Sequence, residues 1–477
     1  MSKFTLITLF VLSNIRILSA QKITIFFDDA LTTPPSVSKA PLKYNKDFAY
    51  SLTLDDATSD AFTHAMPLLR GGTLKEFDTP FSGLFFTDGC GNDVPFRAGI
   101  AWNSVTFNGA DTHNGDVQGS MTWRQLDTLY DYGWDVFNHS YSHKSVFTNQ
   151  MSTLDYVNEV VKNQAAVREK TAKHFEMPVF VVPSGDVVYQ EIALQFGNKV
   201  VFDQAGNNLI GFGGLQVDGD LNLSGLRIHR QKIEESLTLN QLENVVNRSQ
   251  NGGHYWYNEF AHRIDNFNPY GFNYYSFKNQ MQKIADNWGK NGADRVLMAP
   301  LQEVFEYLVL RQTVKMTTSI TGQKMDITFN LSQVPAWLRR KTLTLIINST
   351  NTFSRVDVPN NIKKTFKGIG SQKIINVDFS QYLNSTPTKD LTTPSFIPSG
   401  VFRVFPNPAG DILNIELLNN LTERAELTIS DVSGKVYLTG HFSLKKYQQN
   451  IESLPKGMYI LNIRQGTQIS STKFYKN

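Results

Sequence analysis

Two short stretches of the chain contain the residue types that bind divalent metal ions. The first is Thr53-Leu-Asp-Asp-Ala57, and the second is Asn138-His-Ser-Tyr-Ser-His143. Two carboxylates and two imidazoles suit one divalent ion, and a catalytic zinc site needs three protein ligands and one open position. The two stretches together therefore favour a metal-dependent hydrolase.

Both stretches are expected at the C-terminal ends of strands. A helix pattern covers residues 122–132 and ends at Gly133, and the strand 134–137 then delivers His139 into a loop. The other stretch ends the apolar strand 48–54, where adjacent acids are costly unless a positive charge lies near them. The Asp pair alone is typical of a solvated turn, and a His-x-x-x-His pair alone is a weak signal. Their combination at strand ends indicates a metal site.

In this order, the two stretches resemble the first two motifs of the polysaccharide deacetylases of the NodB-homology type, also called carbohydrate esterase family 4. The resemblance covers residues 45 to 310. It implies Asp55 as the general base and Asp56, His139 and His143 as ligands of a divalent metal. Zinc is the first expectation, with cobalt and nickel as alternatives because the same nitrogen and oxygen ligands serve all three.

The third motif of the family, Arg-x-Pro-aromatic-Gly, is matched only in part. Pro183-Ser-Gly185 follows an apolar strand, but Val181 stands where the motif has its Arg. In the family that Arg holds the base Asp and keeps it ionised, so Asp55 needs another cation here. Arg230 and Arg227 are the candidates, and strand alternation allows at most one of them to face the site, with Arg230 favoured. The resemblance also implies that the backbone N–H of Ser184 helps to hold an oxyanion.

Candidates for a catalytic acid lie further along the chain. Phe260-Ala-His262 resembles the Leu-x-His that supplies the family's catalytic His, and Asp203 ends a strand where the family has an Asp that orients this His. His254 and His229 are rival candidates. The family chemistry would make His262 the residue that protonates the leaving group.

Aromatic residues are concentrated just before His262. Trp256 and Tyr257 are possible sugar contacts, because the C–H faces of sugar rings stack on aromatic planes. For any one of these residues, a place in the core is an equally good interpretation.

The first 20 residues resemble a secretory signal peptide. Lys3 precedes an apolar run, and Leu18-Ser-Ala20 is an acceptable cleavage site. The whole chain has a formal net charge of +3, and removal of this segment subtracts two cations and no acid. The nearly neutral mature chain indicates no nucleic-acid partner, and no later apolar run is long enough to span a membrane. The single cysteine, Cys90, excludes an intrachain disulfide.

Strands and helices alternate as far as residue 310, which predicts an α/β fold with an incomplete (β/α) barrel of the NodB-homology type and its site on the C-terminal face. We assign residues 21–310 to this catalytic domain. Period-two patterns then predict a small all-β domain over 311–386, and a Ser/Thr/Pro-rich linker over 387–401. Residues 402–477 form a second all-β domain.

Four pieces of that last domain resemble the C-terminal sorting domain of the type IX (Por) secretion system, and the alternative is a plain β-sandwich binding module. The pieces are Phe402-Arg-Val-Phe-Pro-Asn-Pro408, Leu427-Thr-Ile-Ser-Asp-Val-Ser-Gly-Lys435, Leu454-Pro-Lys-Gly-Met-Tyr-Ile460 and Lys473-Phe-Tyr-Lys476. The resemblance implies passage through the periplasm and outer membrane, and then release or attachment to the cell surface. The expected partners are an acetylated polysaccharide and the type IX machinery.

Three functions are compatible with these residues. The first is a secreted deacetylase acting on an N-acetylated glycan, chitin-like or peptidoglycan. The second is an esterase that uses the same site on O-acetylated polysaccharide. The third is a sugar-binding surface protein with weak turnover, for which Val181 is the main support.

Overall fold

The computed structural model describes residues 21–74, 80–115, 117, 119–219, 221–233, 235–264, 272–385, 402–406, 409–417, 425–431, 435–465 and 468–476. The expected signal peptide at 1–20 and the expected linker at 387–401 lie outside these residues. The chain divides into two compact units, one of residues 1–149 and 159–388 and the other of residues 150–158 and 389–477.

Strands and helices alternate as far as Thr313. From there to residue 385, strands predominate. The strands are β1 (Gln21–Phe27), β2 (Ser36–Lys39), β3 (Phe48–Leu54), β4 (Gly72–Thr73), β5 (Pro80–Phe81), β6 (Phe85–Thr87), β7 (Asp93–Pro95), β8 (Gly99–Trp102), β9 (Asp135–Asn138), β10 (Val179–Val181), β11 (Val200–Asp203), β12 (Leu215–Gln216), β13 (Leu226–His229), β14 (Gln231–Lys232), β15 (Tyr255–Ala261), β16 (Val296–Met298), β17 (Lys315–Thr321), β18 (Lys324–Asn330), β19 (Thr342–Asn348), β20 (Phe353–Asp357), β21 (Lys363–Lys367) and β22 (Lys373–Asp378). The α-helices are α1 (Met66–Arg70), α2 (Trp123–Asp131), α3 (Thr153–Lys170), α4 (Val188–Gln195), α5 (Glu235–Gln250), α6 (Tyr274–Trp288), α7 (Leu301–Thr313) and α8 (Ser380–Ser385).

The central sheet consists of parallel strands in the order β15-β3-β8-β9-β10-β11-β13. The segment 226–232 crosses between the two ends of this series, because β13 pairs with β11 whereas β14 pairs with β15. The sheet is therefore nearly closed into a barrel, which fits the predicted incomplete barrel. The C-terminal ends of its strands meet at one rim, where barrels of this kind place their sites.

The helices begin where their capping residues predict. Thr122 and Gln125 form a capping box at the start of α2, as the helix pattern over 122–132 requires. Asn273 caps α6, which runs for 15 residues, and α7 runs for 13 residues. These longer helices are stabilised by burial, since α7 is buried at every position from Leu301 to Arg311.

Residues near the N-terminus of the described chain complete the all-β region after the barrel. One sheet has the order β17-β18-β1-β20 and a second has the order β2-β19-β22-β21. Gln21 lies opposite Phe329 in the first of them. The assignment of residues 21–39 to the barrel domain was therefore wrong, because a pairing across about 300 residues leaves no local trace in the sequence.

Buried ion pairs connect this all-β region to the barrel. The Arg340 guanidinium lies 2.7 Å from Asp135, the first residue of β9, and 3.2 Å from Glu303 on α7. Lys43 and Arg97 also contact Glu303, each at 2.9 Å. Burial opposes ionisation of Glu303, but the charges of these cations hold its pKa well below the usual value.

The C-terminal unit is built from strands with a core of its own. Its strands are β23 (Phe402–Phe405), β24 (Ile412–Leu417), β25 (Ala425–Asp431), β26 (Val436–Phe442), β27 (Lys446–Asn450), β28 (Gly457–Gln465) and β29 (Gln468–Lys476). They form sheets of order β23-β24-β27 and β26-β25-β28-β29. Leu413, Leu427 and Leu461 are among the residues buried in this core.

Candidate metal centre and active site

The loops after β3 and β9 bring Asp56, His139 and His143 together at the C-terminal rim. Asp56 Oδ1 lies 3.5 Å from His139 Nε2 and 3.4 Å from His143 Nε2. One potential ligand atom from each of the three residues lies within 4.8 Å of the others. Two imidazole nitrogens and one carboxylate oxygen at this spacing can hold a divalent ion and leave a position open.

The contacts of His139 leave one ring nitrogen free for such an ion. His139 Nδ1 lies 2.7 Å from the carbonyl oxygen of Val181, so this nitrogen carries the proton and the lone pair is on Nε2. Nε2 is buried and has no hydrogen-bond partner among the described residues. A buried, unpaired imidazole nitrogen facing a carboxylate is what a metal ligand requires. Val181 supports this ligand through its backbone carbonyl, so the contact does not depend on the identity of its side chain.

The loop that carries His143 is fixed by its own hydrogen bonds. Ser140 and His143 both have left-handed backbone conformations, with φ of 66° and 58°. The Ser140 hydroxyl accepts a hydrogen bond from the His143 amide at 3.0 Å, and the Glu159 carboxylate accepts from the amide and hydroxyl of Ser142. The Asn103 side chain donates to the carbonyl oxygens of His139 and Ser140. Sequence reasoning missed Asn103 and Glu159, because nothing in their local pattern marks them.

Asp55 lies beside the ligand group and is paired with an arginine. It is 1% exposed, and its Oδ1 accepts a hydrogen bond of 2.7 Å from Arg230 Nη1. Its Oδ2 lies 4.0 Å from His139 Nε2. The Arg230 guanidinium also lies over the Phe260 ring, 4.2 Å from the centroid. The structure thus gives Asp55 the buried cation that Val181 does not supply.

Arg227 occupies a different environment. Its guanidinium contacts Glu191 at 2.6 Å, on a partly exposed side of β13. The two arginines differ because Arg227 belongs to β13, whereas Arg230 is the single residue between β13 and β14. The Arg230 side chain extends from there to Asp55 in the barrel interior. Of the two candidates, Arg230 is the one that reaches Asp55.

His262 lies just after β15, at the same rim. Its side chain is exposed, and its carbonyl oxygen accepts a hydrogen bond from Thr58 at 3.1 Å. Burial would raise the pKa of Asp56, but the contact with His139 and the charges of His143, His139 and His262 hold it below the usual value. Ala261 lies opposite Leu54 in the β15–β3 pair, so His262 follows at the same rim as Asp55. The rival His254 precedes β15 at the opposite end of the barrel and pairs with Asp218.

Asp203 does not make the contact with His262 that the sequence predicted. Its carboxylate accepts hydrogen bonds from the Gln190 side chain at 2.8 Å and from the amides of Gln204 and Ala205. Burial raises its pKa against these bonds. Among the described residues, no hydrogen bond or ion pair joins it to His262. Its backbone carbonyl instead accepts from the Arg230 amide at 2.9 Å, so it supports the arginine.

Ser184 lies in the tight turn after β10. It has a left-handed backbone, with φ of 56°, between the buried residues Pro183 and Gly185. Asp186, which follows Gly185, accepts a hydrogen bond from the Val146 amide at 2.7 Å. This bond ties the Ser184 turn to the loop that carries His143.

The two predicted sugar contacts lie in the core, so that prediction was wrong. Trp256 is 0% exposed and donates from its indole nitrogen to the Ser51 hydroxyl at 2.9 Å. Tyr257 is 3% exposed and stacks on Tyr50. Both faces of β15 are covered, one by the barrel interior and the other by helices, so neither ring presents a face to a substrate.

Comparison with family profiles gives two matches. Residues 43–203 match the family described as polysaccharide deacetylase, which spans the stretches that carry Asp55, Asp56, His139 and His143. Residues 403–477 match the secretion system C-terminal sorting domain. The chain carries a polysaccharide deacetylase domain and a C-terminal secretion sorting domain. The sorting domain indicates secretion through the type IX system to the cell surface or beyond.

Solved structures with similar regions include two deacetylases and a secretion component. The Streptococcus pyogenes deacetylase PplD in complex with acetate is 16% identical, with a TM-score of 0.25, covering 38% of this chain and 63% of that one. The T48 deacetylase with substrate is 10% identical, with a TM-score of 0.29, covering 54% and 90%. PorZ of the Porphyromonas gingivalis type IX secretion system is 13% identical, with a TM-score of 0.14, covering 24% and 15%. No curated protein matches the sequence significantly.

Among the residues that the structure describes, no helix combines the length and apolar character needed to cross a membrane.

Proposed function

We propose that the deacetylase domain is metal-dependent and removes acetyl groups from an N-acetylated polysaccharide, either chitin-like or peptidoglycan. The observation that carries the proposal is the free, buried Nε2 of His139 beside Asp56 and His143, with the Asp55–Arg230 pair next to it. A structural cluster would satisfy that nitrogen within the protein.

Asp56, His139 and His143 would hold the ion, which is most simply zinc, with cobalt or nickel as alternatives. A divalent ion supplies Lewis-acid polarisation of water and of the acetyl carbonyl when it is bound at such a site. The remaining requirements of the reaction fall on the protein's own groups.

Asp55 is the proposed base. Its Oδ2 faces His139 and can accept a proton from a water molecule at the rim, while its Oδ1 is held by Arg230. Because Arg230 occupies one oxygen, the carboxylate has a fixed orientation and a defined free oxygen. The Ser184 amide would donate to the oxyanion, and His262 would give a proton to the departing amine.

An O-acetyl esterase is the second candidate, and the surroundings of His262 favour it. The imidazole is exposed, and the expected orienting partner Asp203 is bound to Gln190 and to backbone amides instead. Without a proton donor an ester expels an alkoxide, which leaves more readily than the amide anion that an amide would have to expel, so ester cleavage depends less on a positioned acid. The third candidate, a weak sugar-binding protein, loses its main support because Arg230 supplies the cation that Val181 does not.

Acetate release from a panel of acetylated glycans tests the proposal. The panel contains N-acetylated chitin oligomers, peptidoglycan and an O-acetylated xylan, each assayed with and without chelator. We expect acetate with a matching amount of free amine from an N-acetylated substrate, lost with chelator and restored by zinc. Acetate from the ester alone would favour the esterase, and release that is unaffected by thorough metal removal would contradict metal dependence.

A further inference from the structure

The barrel interior below Asp55 contains polar groups that the proposed chemistry does not use. Asn258 on β15 is 2% exposed, and neither its Oδ1 nor its Nδ2 has a hydrogen-bond partner among the described residues. Thr53 Oγ1 and Arg230 Nε are also buried and unpaired there. A buried polar group that stays unsatisfied destabilises the folded state, so a partner that these neighbouring groups could share would stabilise it.

Strand register brings these groups together. Gln231 lies opposite Glu259 in the β14–β15 pair, so the preceding residue, Arg230, lies beside Asn258. On the other side of β15, Asn258 lies opposite Ser51, and Thr53 is two residues further along the same face of β3.

The side chains share one face of the sheet. Trp256 donates to Ser51, which fixes the direction of positions 256, 258 and 260 on β15. Arg230 lies over Phe260, so it extends along that same face toward Asp55. Arg230 Nε, the Asn258 amide and Thr53 Oγ1 therefore form a polar layer directly beneath the Asp55–Arg230 contact.

We propose that Asn258 and Thr53 hold a buried water molecule against Arg230 Nε, and that Asn258 is thereby a positioning residue for Asp55. Arg230 Nε–H donates to the water, and the water can donate to Asn258 Oδ1 and to Thr53 Oγ1. Three hydrogen bonds are the usual number for a buried water. The guanidinium plane is then fixed at Nε as well as at Nη1, which sets the angle at which Asp55 meets its substrate water.

The kinetic test rests on the proposed function and uses Asn258→Leu, which keeps the volume and removes the amide. We expect kcat for acetate release to fall about tenfold with KM nearly unchanged, because only the orientation of the base is lost. Asn258→Ser, which keeps an acceptor and admits water, is expected to recover most of the loss. Tyr257→Phe is the matched control, since it removes a buried hydroxyl from the opposite face of the same strand.

Coupling to Arg230 separates positioning from general packing. In an Arg230→Met background, Asn258→Leu should change kcat by less than about twofold, because the group it acts through is gone. An equal loss in both backgrounds, or an unchanged kcat in Asn258→Leu at full metal content, would overturn the proposal. Thr53→Val provides a second, smaller perturbation if Asn258→Leu does not fold.

A high-resolution crystal structure of the full chain tests the contact without any assay. Water within hydrogen-bonding distance of Arg230 Nε, Asn258 Oδ1 and Thr53 Oγ1 is the expected result. An Asn258 amide packed only against apolar atoms, with Arg230 Nε bonded elsewhere, would overturn the proposal. The crystal structure tests the water site even if no glycan yields acetate. Failure of the proposed function is therefore distinguishable from failure of the water site.

Discussion

At the scale of single residues, two adjacent carboxylates have different environments and therefore different expected roles. Asp55 is buried and bound to Arg230, whereas the Asp56 side chain is 40% exposed and faces both imidazoles. The left-handed backbone at Asp56, with φ of 67°, turns the second carboxylate away from the first. Adjacent residues can thus serve as base and as ligand.

Asp55→Asn should retain metal but lower acetate release by about two or more orders of magnitude, because it removes proton abstraction and not a ligand. Asp56→Asn should lose metal. Elemental analysis and an acetate assay on both variants check this. Metal loss in Asp55→Asn with retention in Asp56→Asn would mean that the two roles are reversed.

Arg230 and Arg227 form a natural pair for a second comparison. Arg230→Met leaves the Asp55 charge buried without its partner, which costs about 3 to 5 kcal/mol of stability, and the rate of acetate release should also fall. Arg227→Met, which removes only a partly exposed pair, should leave both nearly unchanged. Urea unfolding and the acetate assay measure the difference. Equal effects of the two substitutions would argue against a special role for Arg230.

At the scale of elements, the sequence predicted what local patterns control. The strand-end positions of Asp55, Asp56, His139 and His143 follow from short apolar runs and from a helix ended by Gly133. What the sequence could not supply was the choice of strand face. Trp256 and Tyr257 lie on opposite faces of β15, and burial on both sides follows only from barrel closure and helix packing.

Local sequence patterns likewise could not predict the long-range contacts. The pairing of Gln21 with Phe329 and the turn of Arg230 into the barrel both depend on elements far away in the chain. The Asp203 carboxylate does not contact His262 for the same reason, because the position of α4 brings Gln190 to it instead.

The ion-pair network around Arg340 should make the all-β region and the barrel interdependent. Arg340→Met would leave Asp135, Glu303 and Glu306 buried with fewer cations, which costs about 3 to 5 kcal/mol. Arg355→Met is the control, because the Arg355–Asp357 pair is solvent-exposed. Urea unfolding of both variants tests this, and a stability of Arg340→Met equal to that of the control would contradict the interdependence.

At the scale of the whole molecule, the C-terminal unit has its own core and carries the sorting function. Deletion of residues 402–477 removes none of the barrel strands and none of the candidate site residues. The truncated protein should therefore fold and release acetate, but remain in the periplasm of its host. Immunoblots of periplasmic and extracellular fractions check this, and normal amounts outside the cell would contradict the role of the tail.

Metal content is the most direct test of the site on which the whole proposal depends. Elemental analysis of the purified full chain should find one equivalent of divalent metal in the wild type. His139→Ala and His143→Ala should retain none, because three protein ligands cannot spare one. His254→Ala, at the other end of the barrel, should retain one equivalent. Stoichiometric metal in either the His139 or the His143 variant would contradict the proposed metal centre.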